Sequence, residues 1–128
     1  VGLGFAKGLA YAKSIPIIPV PTLSAMGTNS KIISDYSILL YSHRNIVYIQ
    51  DFKKNIAFSK PRAVQWEEID HSKQLFHYGC EKLIKKENHQ TSIPSAQKVG
   101  ELAAKNYEIW LLEKPYDLVP NYISPFEL

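Results

Sequence analysis

Hydrophobic positions recur along the chain at two different spacings, and the alternation between them lays out the elements. Val1 to Ser14 places apolar residues at helical intervals despite three glycines, and Pro16 ends the pattern by removing an N–H donor and holding Ile15 extended. The apolar, β-branched run Ile15-Pro-Ile-Ile-Pro-Val20 predicts a short strand, confined by its prolines to a sheet edge or end. Thr22 then opens a short helix that stops near Gly27, and residues 28–34 read as a loop.

Two β-rich runs follow, Tyr36 to Tyr41 and Ile46 to Phe52. The polar stretch Ser42-His43-Arg44-Asn45 between them predicts a hairpin. Residues 53–60 read as a polar connection, Ala63 to Gln65 as a short strand, and Trp66 to Asp70 as one helical turn. Leu75 to Tyr78, Gly79 and Cys80 to Lys86 read as strand, tight turn and helix, followed by a polar loop to Pro94. Ser95 is a candidate N-cap for a helix with apolar residues at Ala96, Val99, Leu102, Ala103, Tyr107, Trp110 and Leu111, which predicts one face turned to a core. Pro115 lies past its end, and Leu118 to Ile123 reads as extended. Alternation of helices and strands without repeat or linker predicts a single layered α/β domain over residues 1–128.

Composition narrows the function classes. With 128 residues, 45% of them hydrophobic, the chain can bury a core without staples, and Cys80, the single cysteine, has no partner for a disulfide. A reducing, cytoplasmic setting is the expectation. No apolar run approaches the ~18–20 residues of a membrane helix. Fifteen Lys and Arg against 12 Asp and Glu leave a net charge of only +3, too scattered to mark a nucleic-acid surface. The chain opens on Val1, with no initiator Met and no capping residue ahead of its helical pattern, so further residues upstream are expected.

The chemistry-bearing residues form no recognisable catalytic pattern. His71, His77, Cys80 and His89 fall in one stretch, but only His77 and Cys80 have the spacing of a zinc-ligand pair, and no second tight pair exists. Ordinary histidines beside a buried thiol is the reading taken, with no metal and no cofactor. No serine sits in a nucleophile elbow, and Glu67 and Glu68, as neighbours on a turn, diverge by about 100°. Gly2, Gly4 and Gly8 lack the preceding strand of a phosphate-binding loop.

The first helix says more. At about 100° per residue, Val1, Phe5, Gly8, Leu9 and Ala12 share one side, while Leu3, Ala6 and Ala10, flanked by Lys7 and Lys13, share the other. Both sides are apolar, where a helix packed on one core would carry a polar back. Either the small-residue side meets a helix of another molecule, or residues upstream supply the second surface.

The stretch Val1-Gly-Leu-Gly-Phe-Ala-Lys-Gly-Leu-Ala-Tyr-Ala, then Ile15-Pro-Ile-Ile-Pro-Val and Thr22-Leu-Ser-Ala, resembles a diagnostic segment of the bacterial TsaB (YeaZ) family, part of the wider glycoprotease family. Looser matches lie at Val47-Tyr48, Ser95-Ala96 and Pro120-Asn-Tyr-Ile, so the resemblance extends over nearly the whole chain. It implies the C-terminal part of a TsaB-like protein, beginning inside the partner-interface helix, and a partial actin-like, sugar-kinase and Hsp70 ATPase (ASKHA) fold with a mixed sheet and flanking helices. The implied role is a non-catalytic scaffold in forming threonylcarbamoyladenosine beside the tRNA anticodon. Its implied partners are the TsaD-like catalytic paralogue, a TsaE-like ATPase subunit or a second copy of itself, with tRNA reached only through the complex. Leu3, Ala6, Lys7, Ala10 and Lys13 are the partner-binding residues it implies. The family's first half is absent from this sequence, Ile46 stands where the family has Glu, and Ser124 where it has a terminal Arg. The alternative from another class is an enzyme, peptidase-like or ATP-using, whose catalytic residues lie in the absent half.

Overall fold

Tyr36-Ser-Ile-Leu is buried at all four positions, the signature of a strand covered on both faces, and the sheet is built around it. The computed structural model describes residues 2–27, 34–85 and 89–123. Strand β1 (Tyr36–His43) pairs antiparallel with β2 (Ile46–Lys53) and parallel with β5 (Gln74–Tyr78). Strand β6 (His89–Thr91) lies parallel beyond β5. On the far side of β2, β3 (Ile56–Ala57) pairs with its end and β4 (Arg62–Gln65) with its beginning. The order is β3-β2-β1-β5-β6, with β4 also on β2.

Both hairpin connections depend on left-handed residues. A register shift between Tyr41 and His43 absorbs Ser42 and carries both strands closer together than the predicted four-residue connection. The turn itself is Arg44-Asn45, with Arg44 at φ 52°. Between β2 and β3, Lys54 and Asn55 have φ of 46° and 66°, the two positive values of the turn that matches the strands' own twist.

Alternation divides the core into two clusters. Tyr36, Ile38, Phe52 and Phe76 face α2 (Thr22–Gly27), which contributes Leu23 and Met26. Leu39, Val47, Ile49 and Leu75 face the opposite way, onto Ile69 and Cys80. A 3-10 turn over Trp66–Glu68 and the turn after Cys80 cover that second face. Helix α1 (Gly2–Lys13) stands apart from the sheet and packs on a 3-10 turn at Pro115–Asp117, while Ile17 and Leu112 form an isolated antiparallel bridge beside it.

Several predicted elements are corrected. Among the described residues Ile15 to Val20 makes only the single bridge at Ile17, because Pro16 and Pro19 have no N–H to continue a ladder. The connection 53–60 contains β3, and the loop predicted after Lys85 contains β6. Cys80 does not open a helix. Its carbonyl accepts the N–H groups of both Leu83 and Ile84, closing one turn, and Lys86 lies outside the described residues, as do 28–33 of the predicted loop.

The helix expected from Ala96 to Leu111 is two, α3 (Ala96–Lys105) and α4 (Tyr107–Trp110), and neither buries any residue. Asn106 divides them, its side chain and backbone N–H both donating to the Leu102 carbonyl, at 2.9 and 3.0 Å. Ser95 precedes α3 without capping it through its side chain. The apolar stripe of α3 is thus a half-covered surface feature, touching α2 but not a core.

Candidate partner-binding surface

Helix α1 ends in a complete Schellman motif. Ser14 sits in the left-handed region at φ 51°, its N–H bonds to the Tyr11 carbonyl, and the Ile15 N–H reaches back to Ala10. These two bonds satisfy end carbonyls of the helix and fix the direction in which the chain leaves it.

The structure divides the five residues implied by the resemblance. Leu3, Lys7 and Ala10 lie within about 60° of one another on the helix and form its inner stripe. Ala10 is buried, and Leu3 and Lys7 are half-buried. Lys7 stretches across to donate to the Leu118 carbonyl and, at 3.4 Å, to that of Tyr116. This tie explains why a lysine interrupts the inner stripe: its aliphatic stem lies on the packed side while its ammonium satisfies backbone carbonyls near Pro115–Asp117. Ala6 and Lys13, at the edge of the stripe, are exposed.

The opposite side is open and apolar. Phe5 is 74% exposed and Leu9 50%, with Gly8 and Ala12 exposed beside them. A Cβ placed on Gly2, Gly4 or Gly8 would meet nothing within 4 Å. Nothing in the described chain therefore requires glycine at these positions, although glycine inside a helix costs about 1 kcal/mol relative to alanine. Side-chain size alone points to Phe5 and Leu9 as the buried side. The sequence could not reveal that they stay uncovered, because that depends on which surface the remainder of the chain presents.

Ile109 and Tyr107 on α4, with Tyr116, Val119 and Tyr122 beyond it, add further exposed apolar side chains. Among the described residues no helix is long and apolar enough to cross a membrane.

The other candidate chemistry is muted. Cys80 is fully buried, and burial, assisted by the Glu81 charge, pushes its thiol up to about 11, away from the thiolate a nucleophile needs. Burial lowers the His77 pKa, and its Nδ1 has no hydrogen-bond partner among the described residues. Among the described residues no group of three or more His, Cys, Asp and Glu is placed to hold a metal.

A cavity of about 140 Å³ opens beside Ser37, Asp51, Arg62, Glu68, Asp70 and Lys73. Both Asp51 oxygens are already engaged there, one by Ser37 at 2.6 Å and the other by Arg62 at 2.8 Å. Burial raises the Asp51 pKa, but the hydrogen bonds from Ser37, Arg62 and Ser59 and the Arg62 charge together outweigh it and hold the carboxyl below its ordinary value.

No family model and no curated protein matches the sequence. Solved structures do match its fold. One is of an uncharacterized protein with similarity to peptidase YeaZ from Pseudomonas aeruginosa, at 14% identity and a TM-score of 0.72, covering 96% of this chain and 66% of that one. Another is YeaZ from Pseudomonas aeruginosa, at 14% identity and a TM-score of 0.71, covering 94% and 66%. The mixed sheet and its helices thus have a YeaZ-like fold, and the chain spans 66% of the length of these neighbours.

Proposed function

We propose that this chain is the C-terminal part of a TsaB-like scaffold subunit, which binds the catalytic threonylcarbamoyl-transferase paralogue in the complex that modifies tRNA. The carrying observation is the two-sided α1. Its inner stripe is committed to the chain's own Pro115–Asp117 turn, and its outer stripe, Phe5, Gly8, Leu9 and Ala12, is apolar and uncovered.

The likeness to YeaZ structures supports the reading at the level of fold. The strand order, a meander followed by two parallel strands on its far side, supports taking the sheet as one lobe of an ASKHA fold. Glycines that no contact among the described residues requires support it physically, since a small surface lets a second helix approach closely and increases the area removed from water. The interface we propose consists of Phe5 and Leu9 with Ala6 and Lys13 at its rim, while Leu3, Lys7 and Ala10 hold the helix in place from behind. Buried thiol chemistry at Cys80 favours this scaffold over a cysteine peptidase.

Co-expression with the catalytic paralogue of the same cell, followed by size-exclusion chromatography with light scattering, tests the proposal. The expected result is a one-to-one complex that Leu9→Glu abolishes and Ala6→Glu weakens, with both variants still folded. Separate elution of the unaltered chains overturns it.

A further inference from the structure

The net charge of +3 conceals an uneven distribution. Residues 52–66 hold four cations, Lys53, Lys54, Lys60 and Arg62, and no acid, so +3 less these four leaves −1 for all other residues together. The fold gathers the four at one edge of the sheet, because β2 ends at Lys53, turns through Lys54-Asn55 and is then paired by β3 and β4 as the chain runs back along it. Arg62 is committed to Asp51 at 2.8 Å. Among the described residues Lys53, Lys54 and Lys60 make no ion pair, and all three are exposed.

Apolar side chains stand among these cations. Ile56 in β3 is 71% exposed, and Phe58 just after it 53%. The Lys53 ammonium lies 4.9 Å from the centroid of the Phe58 ring, a cation–π contact that sets a positive charge against an exposed aromatic. Hydrogen bonds fix the segment from behind. The Phe58 N–H donates to the Asp51 carbonyl at 3.0 Å, the Asp51 N–H to Ser59 Oγ at 2.9 Å, and Gln50 Nε2 to the Ser59 carbonyl at 3.0 Å.

Lys54 sits against its own backbone preference. It takes the first of two left-handed positions in the turn, at φ 46°, where glycine, asparagine or aspartate fits and a longer side chain is strained. The strain places a cation at the tip of the hairpin, beside Lys53, at the expense of stability.

We propose that the β2–β3 hairpin is a docking surface for single-stranded nucleic acid, with Lys53, Lys54 and Lys60 against the phosphates and Phe58 under a base. Unpaired cations without a neighbouring acid in sequence suit a phosphate backbone, and an exposed ring offers an unpaired base a surface to stack on, which a duplex cannot use. This contact belongs to the chain itself and does not depend on the scaffold reading.

Fluorescence anisotropy of labelled oligouridylate and oligodeoxythymidylate of about twelve nucleotides, titrated with the full-length protein, tests the proposal. Binding of either strand supports the surface, and the two sugars distinguish RNA from DNA as its source. The logarithm of the affinity is expected to fall with the logarithm of salt concentration at a slope of about −2, the value for three phosphates on a single strand. Phe58→Ala is expected to weaken binding about tenfold with the slope unchanged, and Lys60→Gln to reduce the slope by about 0.7. Lys54→Gly is expected to raise stability in urea while weakening binding. Arg44→Gly, with φ 52° at the other end of β2, is expected to raise stability and leave binding as it is. No binding of either strand, binding that Phe58→Ala leaves unchanged, tighter binding of a duplex of the same length, or capture by phosphatidylserine vesicles in place of the strands overturns the proposal.

Discussion

The ring of Phe52 occupies the space that a side chain on Gly27 would need: a Cβ built there would lie 2.6 Å from Phe52 Cζ. Phe52 cannot readily withdraw, because its other face stacks on Tyr36 with centroids 5.2 Å apart and planes within 5° of parallel. The Tyr36 hydroxyl then donates back to the Gly27 carbonyl, so the end of α2, the start of β1 and the end of β2 close on one another. Gly27→Ala is expected to destabilise by about 1–3 kcal/mol through overpacking. A denaturant titration that showed no loss would mean that the ring has room to move.

Tyr36→Phe keeps the stack and deletes the hydroxyl. Removing a donor from a buried carbonyl costs about 1–3 kcal/mol, and that is the expected loss. Burial pushes the Tyr36 hydroxyl up to about 12, so the folded state favours the neutral phenol. The stabilisation is fully present below the unfolded value near 10 and is lost as pH rises through the folded value. Tyrosinate absorbance should therefore include a late step near pH 12 that Tyr36→Phe removes.

Ser14→Gly is expected to stabilise the chain. An L-residue in the left-handed region costs about 1–2 kcal/mol, and the added backbone freedom of glycine in the unfolded state returns roughly half of that. A gain of about 0.5–1 kcal/mol in chemical denaturation is the expected outcome, and a loss would show that the Ser14 side chain contributes what the cap geometry does not.

The two sides of α1 are expected to respond oppositely to the same change. Ala10→Glu places a carboxylate in the packed side and should lower stability by several kcal/mol, whereas Leu9→Glu, on the open side, should stay within about 0.5 kcal/mol. Thermal melts of the two variants distinguish the sides directly. Equal destabilisation would mean that the outer stripe is packed in the folded chain.

Asp51 makes stability depend on acid. Its folded pKa lies below the unfolded value of about 3.9, so its contribution is present above that value and lost as pH falls through the folded one. Arg62 is half-exposed, so the ion pair itself is screened and modest. Arg62→Met is expected to flatten the fall in urea midpoint between pH 5 and pH 2.5. An unchanged slope would assign the acid dependence to other carboxylates.

Much of the central sheet is legible from residue order because the relevant physics is local. Tyr36-Ser-Ile-Leu and Val47-Tyr-Ile announce strands through β-branched and aromatic residues, and Arg44-Asn45 supplies the turn between them. Elsewhere a local pattern was outvoted by distant partners. Ile15 to Val20 has a strand's composition but lacks donors, and His89 to Thr91 lacks a strand's composition yet pairs because β5 offers it an edge. The amphipathic spacing of α3 correctly marks a helix but not its burial, which requires a neighbour that the periodicity does not specify.

The same boundary runs through the candidate interface. Spacing alone showed that α1 is apolar on both sides, since the angle between residues follows from the helix itself. Which side is packed was decided by the chain folding back, when Lys7 found the Leu118 and Tyr116 carbonyls and Ala10 became buried, leaving Phe5 and Leu9 outward. The sequence by itself determined the elements whose hydrogen bonds and periodicity are internal to them. The tertiary structure alone decided which faces they bury, because burial is a property of pairs brought together across the chain.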